Sequence, residues 1–558
     1  MSASAKPILP SPRSEAAIGA GNVSDVSPRS KELVIGVVGF AGAGCSTAVK
    51  RLRNLLTKAS YEVKVIKLSN LIAQRFEDEP LPVVSDDEFE GRNKFARACA
   101  LQDLGDRLRK AYGHHAVASL AVKEILRLRE DAPPGERKIA IVLDSIKHSE
   151  EVMLLRKVYD LSFRLVAVHC EHGNRERRLV GDLTSASKYS GVEPGKVLAY
   201  MERDEKDAGR KHGQQVRDAF YLADFFIDNN ARSSGGEHLN GDLIRFRDLL
   251  LGTGLVRPNK HERAIFHAQA AAMQSACLSR QVGAALVARD GTVISTGTND
   301  PPRFGGGVYE EDHHPDHRCF AWEWTDGKLA FTGCHNQRKK IGLRQDIADW
   351  MAARLSPGLA AAVVPVKEGE TEDAARTRDE VQQRIRDFFA AKSELMEEMP
   401  AVKDIIEYSR SIHAEMNALF SAARQGMSTV GTTLYCTTYP CHNCARHMVT
   451  AGVECVQYIE PYVKSLAMEL HSDAMSTVLP GRDPQGRPLP QTHMVVVPFT
   501  GVGPRMYEDF FVKRKEVKRP DGSFDPPPGG VPDFAVRLLD LGSVEEKAAA
   551  LVPETPDA

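Results

Sequence analysis

Two short segments, His413-Ala414-Glu415 and Pro440-Cys441-His442-Asn443-Cys444, supply one imidazole, two thiols and one carboxylate. Three protein ligands and one open position are what a catalytic zinc needs, whereas a structural zinc is usually closed by four. His413 offers an imidazole nitrogen, and Cys441 and Cys444 offer two thiolates. A CxxC pair that opens a helix turns both sulfurs toward one metal, and the helix N-terminus favours their negative charge. Glu415 lies two residues past His413, near enough to reach a water at the open position yet free of the metal. Zinc lowers the pKa of such a water toward neutrality, and a carboxylate beside it can take the proton and pass it on to a substrate. The chemistry this set suits is hydrolysis. A closed structural site with Cys436 as fourth ligand is the alternative, but it has no use for a glutamate at that spacing. Cys436, within LYCTTYP, reads as a packed strand residue.

A second constellation lies near the other end of the chain. Gly39-Phe40-Ala41-Gly42-Ala43-Gly44-Cys45-Ser46 has the spacing of a phosphate-binding P-loop, and it follows an apolar strand and precedes an amphipathic helix. Cys45 stands where that motif carries lysine. The backbone amides and the helix N-terminus can still cradle phosphate, but the point charge that bridges β- and γ-phosphates is missing from the loop. Asp144, at the end of the strand IAIVLD, is placed to hold magnesium, and HGNRERR at 172–178 resembles the lid of small nucleotide kinases. The expected ligand is a nucleotide or another phosphorylated molecule, with Mg2+. The competing reading is a glycine-rich turn kept for helix packing.

The elements that must carry these groups divide the chain. Residues 1–31 have no periodicity and read as a disordered tail. Strand-like runs at 33–38, 63–68, 139–144 and 163–170 alternate with helical stretches over 32–232, which implies a parallel sheet. A Ser-Ser-Gly-Gly joint opens a linker and helix over 233–256. From 257 to 544 the pattern is a helix at 262–279, a hairpin at 282–299 turning at Asp290-Gly291, and a long insert at about 303–410. The HAE helix, the strand TTLYCT, the CxxC helix and two further strands complete it, and 545–558 reads as a frayed tail. No internal repeat is visible.

Bulk properties bound the function. The 558 residues are too many for one core. A formal net charge of -2 gives no global basic surplus of the kind that holds nucleic acid by its phosphates. The ten cysteines contain one CxxC pair and no regular framework, which suggests reduced thiols and a cytoplasmic protein. No apolar run approaches membrane-spanning length, and the N-terminus has no secretory pattern.

The HxE…PCxxC arrangement is the one zinc deaminases of nucleobases use, and three blocks narrow it. CLSRQVGAALVARDGTVISTGTN at 277–299, IHAEMNALFSAAR at 412–424 and TLYCTTYPCHNCARHMVTAG at 433–452 resemble the deoxycytidylate deaminase family. The resemblance implies an α/β/α three-layer domain with a mixed sheet, Zn2+, hydrolysis of a cyclic amidine C–N bond in a free deoxycytidine nucleotide, and a multimeric enzyme. It implies that Asn299 contacts the sugar and that the backbone at Ala414 meets the base. Arg303 and Lys464 are the candidates for a phosphate patch. The order of the halves, a P-loop kinase-like domain and then a deaminase, resembles bacterial anti-phage deoxycytidine nucleotide deaminases. In those the deaminase drains dCTP and dCMP, the first half is regulatory, and an RNA antitoxin restrains some members, so a regulatory RNA or nucleotide effector is an expected partner here. The alternatives are an editor of nucleic acid, a housekeeping dCMP deaminase for dTTP supply, and an inactive scaffold. Within the insert, His313, His314, His317, Cys319, Cys334 and His335 could hold a second metal.

Overall fold

A computed structural model describes residues 31–79, 81–82, 90–129, 138–180, 188–207, 211–230, 237–253, 255–313, 317–318, 322–325, 328–331, 334–365, 371–391, 409–462, 465–480, 487, 489–512, 518–523 and 541–553. The chain forms two compact units, Met1–Val256 with Glu508–Ala558, and Arg257–Tyr507.

In the first unit the strands are β1 (Leu33–Val38), β2 (Glu62–Lys67), β3 (Ile139–Ile146), β4 (Phe163–His169) and β5 (Phe225–Asp228). They run parallel in the order β5-β4-β1-β3-β2. β1 is buried along its whole length, as expected for a strand covered on both faces, where an unbroken apolar run replaces alternation. The chain moves from β1 to one side and from β4 to the other. The C-terminal end of β1 is therefore a switch point, where parallel sheets place ligands. The glycine-rich loop sits there and leads into the helix Cys45–Lys58.

The C-terminal stretch departs from the sequence expectation. Residues 508–558 group with the first unit, so the second ends at Tyr507 rather than 544. The expected tail contains most of a helix, Leu541–Ala549, that packs on the helices Ala116–Arg129 and Ser149–Tyr159. Its Glu545 is 1% exposed and pairs with Arg129, which also pairs with Glu32. A buried carboxylate needs such a partner, and this one is 416 residues away in sequence.

The second unit holds a mixed sheet of β6 (Gly283–Val287), β7 (Val293–Thr298), β10 (Thr433–Thr438), β11 (Cys455–Glu460), β12 (Met475–Ser476) and β13 (Met494–Pro498). The order is β12-β13-β11-β10-β6-β7. β6 is antiparallel to β7 and β10, and the remaining pairs are parallel. A separate hairpin, β8 (Trp322–Thr325) and β9 (Lys328–Phe331), and two long helices, His335–Val363 and Glu372–Ala391, packed on each other, form the insert.

Alternation along the strands separates two faces. Gly283 packs against the backbone of Ala268 and Ala272, and the Tyr435 hydroxyl meets His261, so the helix Lys260–Met273 covers one face. Ala284, Leu286, Leu434 and Cys436 point the other way into a core with Ala414, Ala418, Cys444 and Met448. The helices Ala414–Arg424 and His442–Thr450 therefore cover the second face. These are the three layers expected. The first helix ends at Met273 rather than 279, and the irregular segment after it delivers Arg280 to the site.

Candidate metal centre and pocket

Each metal-ligand candidate sits at a helix start for a local reason. His413 is the extended residue before the helix Ala414–Arg424. Cys441 caps the helix His442–Thr450, its sulfur accepting the Cys444 amide at 3.4 Å. The two helix starts meet, so His413 Nδ1 lies 3.3 Å from Cys441 Sγ and 3.3 Å from Cys444 Sγ. One imidazole nitrogen and two sulfurs this close, with Cys444 fully buried, form a donor set that suits zinc. Cys436 is fully buried in β10 and is not grouped with these three, which agrees with its reading as a packed strand residue.

Electrostatics follow from burial and proximity. The Cys441 thiol is pushed down to about 4 by the hydrogen bond from Cys444 and by His413. His413 is pushed up to about 9 by its hydrogen bond to Cys441 and the charge of Glu415. Cys444 is driven well above the thiol range by burial and by sharing a proton with Cys441. The Cys441 thiolate is thus ready to bind a cation, while the His413 imidazolium and the Cys444 thiol must each give up a proton to do so. Glu415 is 4% exposed in the first turn of its helix. Burial raises its pKa, with the nearby Cys441 charge adding to the shift. A carboxyl raised in this way holds a proton more readily than a solvated one, the direction that proton transfer calls for.

These groups open into a pocket of about 270 Å³ lined by Arg280, Asn299, Arg410, His413, Ala414 and Glu415, among others. The Asn299 carboxamide bridges two backbones: its oxygen accepts the Val282 amide at 2.7 Å and its nitrogen donates to the Arg280 carbonyl at 2.8 Å. One donor and one acceptor site remain on that carboxamide. Its visible work is to fix the segment carrying Arg280.

Arg303 is not brought to the pocket. It stands exposed on a turn, its amide donating to the Gly307 carbonyl at 3.1 Å, with Gly305, Gly306 and Gly307 all at positive φ. Lys464 lies outside the described residues. Among the described residues, the arginines that line the pocket are Arg280, paired with Glu460 at 2.5 Å, and Arg410, bonded to the His317 carbonyl at 2.6 Å. Arg280 was findable from its place in SRQVGA, whereas Arg410 follows the insert, and its approach depends on tertiary structure. His314 and Cys319 of the second-metal candidates lie outside the described residues. Of the others, Cys334 and His335 line the pocket, His317 stacks edge-on against Tyr309, and His313 stands in an exposed group with Glu310 and Asp312. Among the described residues they do not form one cluster.

In the first unit, Gly42 and Gly44 have φ of 81° and 89°, a backbone only glycine adopts freely. Ser46 Oγ donates to Asp144 Oδ2 at 2.9 Å, so the loop serine and the carboxylate expected to hold magnesium are together. Cys45 is buried, and a Cβ on Gly39 would meet its sulfur at 2.6 Å, so the thiol packs beneath the loop. Burial raises it to about 12.

Residues 325–460 match the family described as the cytidine and deoxycytidylate deaminase zinc-binding region. ComE operon protein 2 of Bacillus subtilis (strain 168) is 41% identical over 71 residues, 12% of this chain and 38% of that one. Deoxycytidylate deaminase of Enterobacteria phage T4 is 44% identical over 54 residues, 10% and 28% of the two chains. The chain thus spans about a third of the length of these relatives. Among solved structures, dCMP deaminase from the cyanophage S-TIM5 in complex with dCMP and dUMP aligns with a TM-score of 0.21 at 17% identity, covering 44% of this chain and 99% of that one. Shikimate kinase from Bacteroides thetaiotaomicron aligns with a TM-score of 0.23 at 13% identity, covering 39% and 98%.

Proposed function

We propose that the second unit hydrolytically deaminates free deoxycytidine nucleotides, dCTP, dCMP or both, to the deoxyuridine nucleotides. One observation carries this reading: His413, Cys441 and Cys444 converge within bonding reach of one metal, and a buried glutamate shares their pocket with two arginines. His413, Cys441 and Cys444 would hold the zinc, which when bound makes a water acidic enough to attack near neutral pH. Glu415 takes the proton of the attacking water and delivers it to N3 of the cytosine ring, then takes the remaining proton of the hydroxyl added at C4 and passes it to the amine as the C4–N bond breaks. Its raised affinity for a proton suits holding one between these steps. Arg280 and Arg410 receive the phosphate, and Asn299 holds the Arg280 segment while offering its remaining donor and acceptor to the sugar. The backbone of Ala414 meets the base.

The two-domain order supports a further reading, in which the P-loop unit controls the deaminase and the activity drains dCTP as an anti-phage defence. The near-neutral charge favours a free nucleotide over a polymer. Chromatography of dCMP, dCTP, CTP, deoxycytidine and single-stranded DNA after incubation with zinc-loaded protein tests the substrate. Conversion of dCMP or dCTP is expected. Deaminated DNA with both nucleotides intact would replace this reading with a nucleic-acid editor.

A further inference from the structure

The loop that lacks its lysine has a lysine from elsewhere. Lys147, just beyond β3, places Nζ 3.3 Å from the carbonyl of Gly39, the first residue of the loop. The same ammonium lies 2.7 Å from Asp204 Oδ1, and Asp204 Oδ2 accepts the amide of Ala41 at 2.7 Å. Asp204 is 1% exposed. A carboxylate thus sits on an amide of the glycine-rich loop and on the Lys147 ammonium beside it, contacts that a phosphate oxygen makes in such a loop.

The surrounding side chains fix the loop's backbone. Arg178 donates to the Gly42 and Ala43 carbonyls at 3.2 Å each, and Asn229 donates to the Ala43 carbonyl at 2.7 Å. Arg175 packs its backbone against Gly42, where a Cβ would meet its carbonyl at 2.9 Å, and lays its guanidinium over the Phe40 ring. It is 5% exposed, and its Nε and Nη1 have no hydrogen-bond partner; Nη2 lies 3.5 Å from Glu205. Buried guanidinium nitrogens without acceptors are costly. A turn kept only for helix packing gives no reason to place them beside the loop.

We propose that this loop binds a magnesium-bound polyphosphate, with Lys147 as the cation the loop itself lacks, and that Asp204 is an internal plug the phosphate displaces. A P-loop cation can come from another strand, as in protein kinases. Ser46 and Asp144, already paired, stand where the metal would be held. The polyphosphate can be inorganic or the tail of a nucleoside triphosphate. Displacement of the plug frees Asp204 and its helix, Pro194–Lys206, to respond to the ligand.

The test is equilibrium titration of the full chain with magnesium pyrophosphate and with magnesium ATP, read by calorimetry, so it does not depend on the deaminase reading. Asp204→Asn keeps an oxygen for the Ala41 amide and removes the competing charge; it is expected to bind roughly tenfold more tightly than the wild type. Lys147→Met is expected to bind at least about tenfold more weakly, and Lys147→Arg to retain most of the affinity. Thermal melts of each variant establish that the fold is kept. Preference for ATP identifies a nucleotide as the source of the polyphosphate, and equal binding identifies polyphosphate itself. Three results would each overturn the proposal: no binding of either probe to the wild type or Asp204→Asn, equal binding by wild type and a folded Lys147→Met, or weaker binding by Asp204→Asn.

Discussion

Gly297→Ala probes how closely the site depends on the sheet beneath it. A Cβ at Gly297 would lie 2.2 Å from the Ala414 carbonyl, 2.4 Å from the Ala418 nitrogen and 3.0 Å from the Ala418 Cα. All three atoms are backbone, so no side chain can swing away. The helix Ala414–Arg424 must recede by about 0.8 Å to restore even the tightest spacing tolerated in a packed interior. Overpacking of this kind costs about 1–3 kcal/mol. The displaced helix carries Glu415 and begins at the proposed ligand His413, and a misplacement near 1 Å can lower turnover on the order of a hundredfold. The assay pairs dCMP and dCTP deamination with zinc content and a thermal melt. Gly241→Ala serves as the contrast, because a Cβ there meets nothing within 4 Å, and alanine in a helix interior stabilises by about 0.5–1 kcal/mol. Wild-type turnover and zinc content in Gly297→Ala would show that the site tolerates movement of its helix, and the positioning argument would fail.

Four further outcomes follow from the same contacts. Arg280→Ala should raise KM for dCMP by roughly tenfold to a hundredfold with a smaller effect on kcat; an unchanged KM would remove Arg280 from the phosphate site. Glu545→Ala leaves the Arg129 guanidinium, 10% exposed, with Glu32 as its remaining carboxylate, and should destabilise the first unit by about 1.5–3 kcal/mol, the range of a lost hydrogen bond to a charged group, read from urea unfolding; a loss below about 1 kcal/mol would place that pair in the class of surface bridges. His148 is 2% exposed and pushed down to about 3 by burial and by the charges of Arg109 and His114, while its Nδ1 accepts the Glu150 amide. Because its folded pKa lies below the unfolded one, its contribution is complete above about pH 6.5 and is lost as pH falls toward 3. His148→Asn should flatten the stability profile of the first unit across that window, and an unaltered slope would assign the acid sensitivity to other groups. Removing zinc with a chelator should abolish deamination, and zinc alone should restore it; metal-independent turnover would rule out the site as drawn.

What the sequence revealed and what it hid divide along the range of the interactions. The P-loop turn, β1, the HAE helix and the CxxC helix start are local patterns, set by glycine conformations, capping and periodicity within about a dozen residues, and they stand where they were expected. The antiparallel pair β6 and β7 was also legible, from the Asp290-Gly291 turn between its strands. The partnership of Arg129 with Glu545, the lysine Lys147 beneath the loop and the approach of Arg410 to the pocket are contacts between distant segments. No spacing rule announces them. Arg303 was singled out by sequence, and it stands on a turn with three consecutive glycines at positive φ, outside the described lining of the pocket.

The central claim is that Glu415 moves protons for a metal held by His413, Cys441 and Cys444. Glu415→Gln, which keeps the shape of the side chain, tests it when zinc content and ammonia release are measured on one preparation. About one zinc per chain with deamination lowered by at least roughly a hundredfold is the result predicted. Wild-type turnover in that variant, or loss of zinc together with activity, would contradict it.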